Sequence, residues 1–431
     1  MCRLRIPTRH QPKTARCPSG SGDRSEWESM INFQTRFRFM AIFFVAVLAF
    51  QLSAQEKPGT GVTATEIRIG NIACSTGWAQ GYGSITGAES AYFRMINDRG
   101  GINGRKINFI SFGDGCDSRN AVELARRLVE EDGVLLLFST MGTETNLAIR
   151  SYMNEKKVPQ LFLQSSSAVF DDPSHFPWTM GFFMTYRAEG LAYAKYILQN
   201  KPNAKIAVLS ANDDSGREYV AGLRDGLGGQ AGAMIVKELT YNLSDSDLEP
   251  QIRAMRESGA DVFMNFSLGT FLTQSIRNVY DLGWHPKQFI SNASLSVAAF
   301  LEPAGLIKSA GVISNARSKG WQSVRAKEDP GVRAFLEWMS KYNSQASLRD
   351  QNNVAGYERA EALVAVLKKC GDDLSRANVM KQATSLDLEL SMLRPGIRVT
   401  TSPTDYQPIK QLFLIQFDGK EWIPIGAITA D

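Results

Sequence analysis

The chain has 431 residues, 43% apolar and 21% charged, a globular composition long enough for two domains with separate cores. Its formal charge of +4 comes from the first 54 residues, which hold 8 Lys/Arg and 3 Asp/Glu; the remainder carries 48 − 8 = 40 basic and 44 − 3 = 41 acidic residues, a net of about −1. No polybasic run is left, which excludes nucleic acid as a partner, and outside the leader only His175 and His285 remain, which excludes a histidine-based metal site or catalytic triad.

The leader reads as a secretory signal. Arg36 and Arg38 precede the apolar run 40–50, followed by small residues that place cleavage after Ala54. The run covers about half of the roughly 20 residues needed to span a bilayer. Met30 or Met40 is the expected initiator, and residues 1–54 are expected to be removed on export.

Residues 66–71, EIRIGN, alternate Ile67 and Ile69 and predict a strand, followed by a loop that mixes small hydroxyls with Trp78 and Tyr82. A helix is predicted from near Ser84, with Ile85, Ala88, Ala91, Tyr92, Met95 and Ile96 at helical spacing; Gly100 and Gly101 end it, and a second strand starts at Lys106. A polar loop, a helix and a third strand reach Phe138. A helix over 145–156 and a strand over 159–163, ending in Gln164-Ser165-Ser166-Ser167, complete four βα units. The aromatic segment 175–186 breaks the alternation, and a helix over 188–199 opens a second series. Its strands are predicted at 205–210, 234–240, 261–266 and 287–292, with helices over 218–227, 248–258 and 270–282 between them. VISNAR (312–317) reads as a return strand. Helices follow over 331–342 and 353–369, the latter with a core stripe of Tyr357, Ala360, Leu363, Val364 and Leu367, and the tail is a hairpin turning at Asp418-Gly419.

This alternation predicts an α/β protein of two doubly wound parallel-sheet lobes joined by a multi-strand hinge. One lobe takes 66–184 with about 313–392, the other 185–312 with about 393–431; the crossings are expected near 181–185, 309–315 and 393–401. The chemistry then belongs beyond the carboxyl ends of the strands, where the loops are rich in Ser, Thr, Asn and aromatic residues. Hydroxyls and backbone N–H groups at helix N-termini suit a small anion such as a carboxylate, and aromatics supply uncharged walls. Asp114, Asp117, Asp213 and Asp214 at strand ends read as helix caps. No GxSxG, Walker loop or HExxH is present, and Gly81, Gly83 and Gly87 miss the dinucleotide fingerprint spacing. Beyond the leader three cysteines remain. Cys74 and Cys116 follow the first two strands, where a disulfide and two free thiols both fit; Cys370 ends an apolar helix and reads as a packing residue.

With those residues in view, the chain resembles the substrate-binding receptors of branched-chain amino-acid (Leu/Ile/Val) ABC transporters, the type I periplasmic binding fold, over nearly all of 66–426. The resemblance is carried by IGNIACSTGWAQGYG, GAESAYFRMINDRGGINGRKI, DGCDSRNAVELARRLVEEDGV, VPQLFLQSSS and KIAVLSANDDSGREY. Nearer the end, NVMKQATSLDLELSMLRPGI, SPTDYQPIKQ and FDGKEW are similar to a branch that often takes aromatic or other small organic acids. It implies a periplasmic, non-catalytic, monomeric receptor that closes around a small ligand and delivers it to an ABC permease and ATPase, with no cofactor or metal. By the same resemblance the ligand carboxylate falls to Gly142, Thr143, Gln164, Ser165 and Ser166 in the first lobe, with Tyr82 over the ligand; Trp78 fills a position that is commonly proline, Ser215 and Ser267 stand where the family has aromatic residues, and Tyr186 and Asn292 complete the expected site. Cys116 matches a family cysteine whose usual partner falls at Gly142, which leaves Cys74 as its candidate partner.

The departures bear on the ligand. Amino-acid receptors of this family hold the ammonium group with an acid after the strand that corresponds to KQFISN; here residues 291–294 are Ser-Asn-Ala-Ser, with no acid before Glu302. A buried ammonium without a counter-charge costs several kcal/mol, which favours an aromatic or aliphatic carboxylate over a common amino acid. An amino-acid receptor and a periplasmic ligand sensor of the same fold are the alternatives. An enzyme at this cleft would need a nucleophile paired with a base, and the histidines lie away from the strand ends.

Overall fold

The computed structural model describes residues 61–429, so the leader expected over 1–54 lies outside the described residues. Two sheets organise the chain. Five parallel strands, β1 (Glu66–Ala73), β2 (Lys106–Gly113), β3 (Leu136–Phe138), β4 (Gln160–Leu161) and β5 (Thr179–Met180), form the first in the order β2-β1-β3-β4-β5. The second orders β14-β13-β10-β9-β8-β6-β7. Its strands β6 (Ile206–Ala211), β7 (Ile235–Tyr241), β8 (Val262–Phe266), β9 (Lys287–Ile290) and β10 (Ile313–Ala316) are parallel. The short strands β11 (Asp387–Leu388) and β12 (Val399–Thr400) pair with each other, and the hairpin β13 (Gln411–Phe417) and β14 (Trp422–Thr429) closes the second sheet antiparallel. Asp418 and Gly419 make its turn, with Gly419 at φ 97°.

β6 and β8 are buried at every residue, as strands covered by helices on both faces must be. Helices Gly83–Asp98 and Asn352–Lys369 pack against the first sheet, and a Cβ on Gly356 would lie 2.6 Å from the Ile85 carbonyl oxygen. The aromatic segment expected to interrupt the strands contributes β5, whose neighbour β4 is held where the Gln160 N–H donates to the Trp178 carbonyl. A two-residue strand has too little periodicity to be read from sequence.

The chain crosses between lobes after β5, over 181–185. The second crossing differs from the expected 309–315: β10 stays in the second sheet, between β9 and β13, and the chain leaves only after Ala316. The third lies just before Gln411, because Leu393, Ile397, Val399, Tyr406 and Ile409 still pack in the first lobe's core. Both displacements have one cause. An apolar strand shows its pairing potential in sequence but not which sheet edge accepts it.

Candidate functional site

Each sheet reverses its winding once. β1 connects outward to β2 while β3 connects to β4 on the other side, and β6 and β8 repeat the arrangement. Ligands of open α/β sheets lie outside the carboxyl ends of the strands at such reversals. A cavity of about 200 Å³ occupies the position, lined from the first lobe by the loops after β1, β3 and β4 and from the second by those after β6, β8 and β9. Its size suits a small molecule.

Of the residues expected at the site, Trp78, Tyr82, Gly142, Thr143, Gln164, Ser165, Ser166, Tyr186, Ser215 and Asn292 line this cavity. Ser267 does not: it is fully buried at the end of β8, and its neighbour Leu268 faces the cavity instead. Successive residues leaving a strand point to opposite sides, so an error of one position selects the wrong side chain.

The hydroxyl wall is built by backbone pairing. Met141 bridges Gln164 and the Gly142 N–H donates to the Gln164 carbonyl at 3.2 Å, which brings the Thr143 and Ser165 hydroxyls to 2.8 Å from each other. Gly142, at φ 100°, opens helix Thr143–Glu155, whose first N–H groups have no partner within the helix. Tyr186 closes the wall from the second lobe. Its N–H donates to the Ser166 carbonyl at 2.8 Å, its ring lies 4.7 Å from that of Tyr219, and burial pushes its phenol up to about 12.

Tyr82 reaches across the cleft. Its hydroxyl accepts from the Gly269 N–H at 3.0 Å and lies 3.0 Å from the Ser294 hydroxyl, both in the second lobe, and its ring packs 5.1 Å from Phe300. Burial pushes its phenol up to about 12, so it stays protonated as a donor. Gly269 is required there, because at φ 58° an added Cβ would lie 2.0 Å from the Trp78 carbonyl oxygen. A further bridge joins the lobes, where Glu218 accepts from the Ser167 hydroxyl and, at 2.9 Å, from the Ala168 N–H; within the first lobe the Asn352 amide donates to the Gly81 carbonyl. Cys74 and Cys116 form a disulfide, Cα atoms 4.7 Å apart, that ties the loop after β1 to the one after β2 at the cavity rim.

A model of the family described as periplasmic binding protein matches residues 66–421. The chain belongs to that family. Among its relatives, the Leu/Ile/Val-binding protein homolog 8 of Brucella abortus is 23% identical over 305 residues, covering 68% of this chain and 73% of that protein. Among solved structures, a branched-chain amino acid ABC transporter protein from Thermus thermophilus with bound valine superposes with a TM-score of 0.74 at 15% identity, covering 86% of this chain and 98% of that one. A solute binding protein of an ABC transporter from Rhodopseudomonas palustris BisB5, in complex with 3,4-dihydroxy benzoic acid, gives 0.71 at 18% identity, covering 85% and 98%. Both likenesses show the fold, type I with two lobes. Members of the family are receptors that bind a small molecule and work with ABC transporter components.

In this periplasmic binding protein two acids lie near the ligand loops: Asp213, read from the sequence as a helix cap, and Glu189, which sequence reasoning missed. Asp213 caps helix Asp214–Leu227, accepting from the Gly216 N–H at 2.9 Å and the Ser215 hydroxyl at 2.6 Å, and it also lines the cavity. Glu189 lies beneath the loop after β9 and accepts from the Asn292 N–H and the Tyr193 hydroxyl, both at 2.8 Å. Burial pushes its carboxyl up to about 7 despite these donors. Helical position predicts burial of Glu189 but not that it lies under a loop about a hundred residues later. At the hinge end, Phe183 is flanked by the guanidiniums of Arg317 at 4.4 Å and Arg359 at 5.0 Å, which pair with Glu358 and Glu89.

Proposed function

We propose that the chain is an exported, non-catalytic receptor that closes its lobes around a small organic acid, aromatic or aliphatic, and presents it to an ABC permease. The observation that carries this reading is the neutral donor wall of Thr143, Ser165 and Ser166, set beside an unpartnered helix N-terminus and facing Trp78, Tyr82 and Leu268. Such a wall binds a carboxylate without a compensating cation, and the apolar surface takes the remainder of the molecule. The bridges of Tyr82 and Glu218 form only when the lobes approach, so a ligand touching both lobes shifts the chain towards closure.

A second reading, an amino-acid receptor, is favoured by Asp213, which places a carboxylate in the cavity from the second lobe. Against it, one oxygen of Asp213 already holds the Gly216 N–H and the Ser215 hydroxyl. A thermal-shift screen over benzoates, aliphatic acids and amino acids separates the two. Stabilisation by carboxylic acids lacking an amine is the expected result; stabilisation by amino acids alone, abolished in Asp213→Asn, would establish the second reading, and no response to any carboxylate would exclude both.

A further inference from the structure

Three cationic side chains line the hinge end of the cavity, and two of them are neutralised within the protein. The Arg317 Nε lies 3.0 Å from Glu358, and the Lys319 ammonium lies 2.9 Å from Asp329 and donates to the Ser391 carbonyl. Arg394 differs. Among the described residues no carboxylate pairs with it, and its buried Nε has no acceptor. Its position is nonetheless fixed: the Arg394 N–H donates to the Arg317 carbonyl at 2.9 Å, Leu393 bridges Ser318, and the guanidinium stands 5.3 Å from the Phe413 ring. Burial lowers its pKa from the ordinary arginine value, a sign of a cation held away from water without a compensating charge. The carboxylates of the lining do not serve it: Asp213 caps a helix of the second lobe, and Glu144 is exposed in the first turn of helix Thr143–Glu155.

An arginine in this setting is a preformed fork for an anion. Resting on the carboxylate reading above, we propose that Arg394 is a second anion anchor and that the ligand is a two-ended acid, one carboxylate on the Thr143 and Ser165 hydroxyls and another acidic group on the Arg394 guanidinium. The apolar spacer between them lies against the aromatic residues of the cleft. Phe183, Trp321 and Tyr82 line the same cavity and supply uncharged surface for a ring or a short chain.

Matched pairs of probes test this by titration calorimetry on the full-length chain: benzoate against its 1,3- and 1,4-dicarboxylates, and pentanoate against pentanedioate. At least one diacid is expected to bind about tenfold or more tightly than its monoacid, the effect of one charge-assisted hydrogen bond. Arg394→Gln should remove the diacid's advantage over its monoacid measured on the same variant, with circular dichroism showing that the variant is folded; Arg394→Lys should recover part of the preference. Monoacids binding as well as every diacid, or Arg394→Gln weakening both members of a pair equally, would overturn the anchor and leave the carboxylate reading standing. No binding by any acid of either kind would overturn both.

Discussion

Tyr82 and Glu189 show how one buried polar atom can hold a loop in place. The Tyr82 hydroxyl satisfies the buried Gly269 N–H across the cleft, and replacing it leaves that donor to a longer contact with Ser294 at 3.3 Å. Tyr82→Phe should therefore weaken ligand binding by about tenfold, the effect of losing one buried hydrogen bond, mostly through faster dissociation in stopped-flow measurements. An unchanged dissociation rate would show that the hydroxyl plays no part in closure. Glu189 sets a pH dependence. Its carboxyl is pushed up to about 7 in the folded chain, so between the ordinary glutamate value and 7 folding retains a proton that unfolding releases. The stability it contributes is full at low pH and declines as pH rises towards 7. Melting curves from pH 5 to 8 should fall more steeply for the native chain than for Glu189→Gln; parallel curves would refute the assignment.

At the scale of elements, the disulfide and the packed helices make the cavity walls rigid. The Cys74–Cys116 bond closes a loop with a sequence separation of 42, for which chain entropy gives a stabilisation of about 4 kcal/mol. The double variant Cys74→Ser/Cys116→Ser should melt several degrees lower and lose ligand affinity as the loop carrying Trp78 and Tyr82 loosens. If it melts as the native chain does, the bond contributes nothing. Most elements were legible because βα alternation repeats a strong pattern, as with β6, helix Asp214–Leu227 and β7. β5 and the sheet to which β10 belongs were not, since both depend on a partner distant in the chain.

At the scale of the whole molecule, the lobes meet through individual polar bridges that can break and re-form as the cleft opens and closes. Glu218, from the second lobe, accepts from Ser167 and Ala168 in the first. Glu218→Ala should leave the melting temperature of the unliganded chain nearly unchanged, raise the dissociation constant for the ligand about tenfold, and shift the small-angle scattering profile of the liganded chain towards a larger radius of gyration. A liganded profile identical to that of the native chain would show that closure does not depend on this bridge.

The sequence by itself determined the two-lobe α/β plan, because burial of parallel strands imposes a composition and spacing that survive in any order of reading, while the first-lobe hydroxyls Thr143, Ser165 and Ser166, beyond the ends of β3 and β4, were expected from the family resemblance. Tertiary structure decided what those loops face. Whether Ser267 or Leu268 turns inward, which sheet takes β10, that Glu189 supports Asn292, and that Arg394 is the cation of the cavity left without an acid among the described residues are all set by contacts between segments far apart in the chain. Local pattern records how a segment buries its own side chains. It carries no record of the partner on the other side of the cleft.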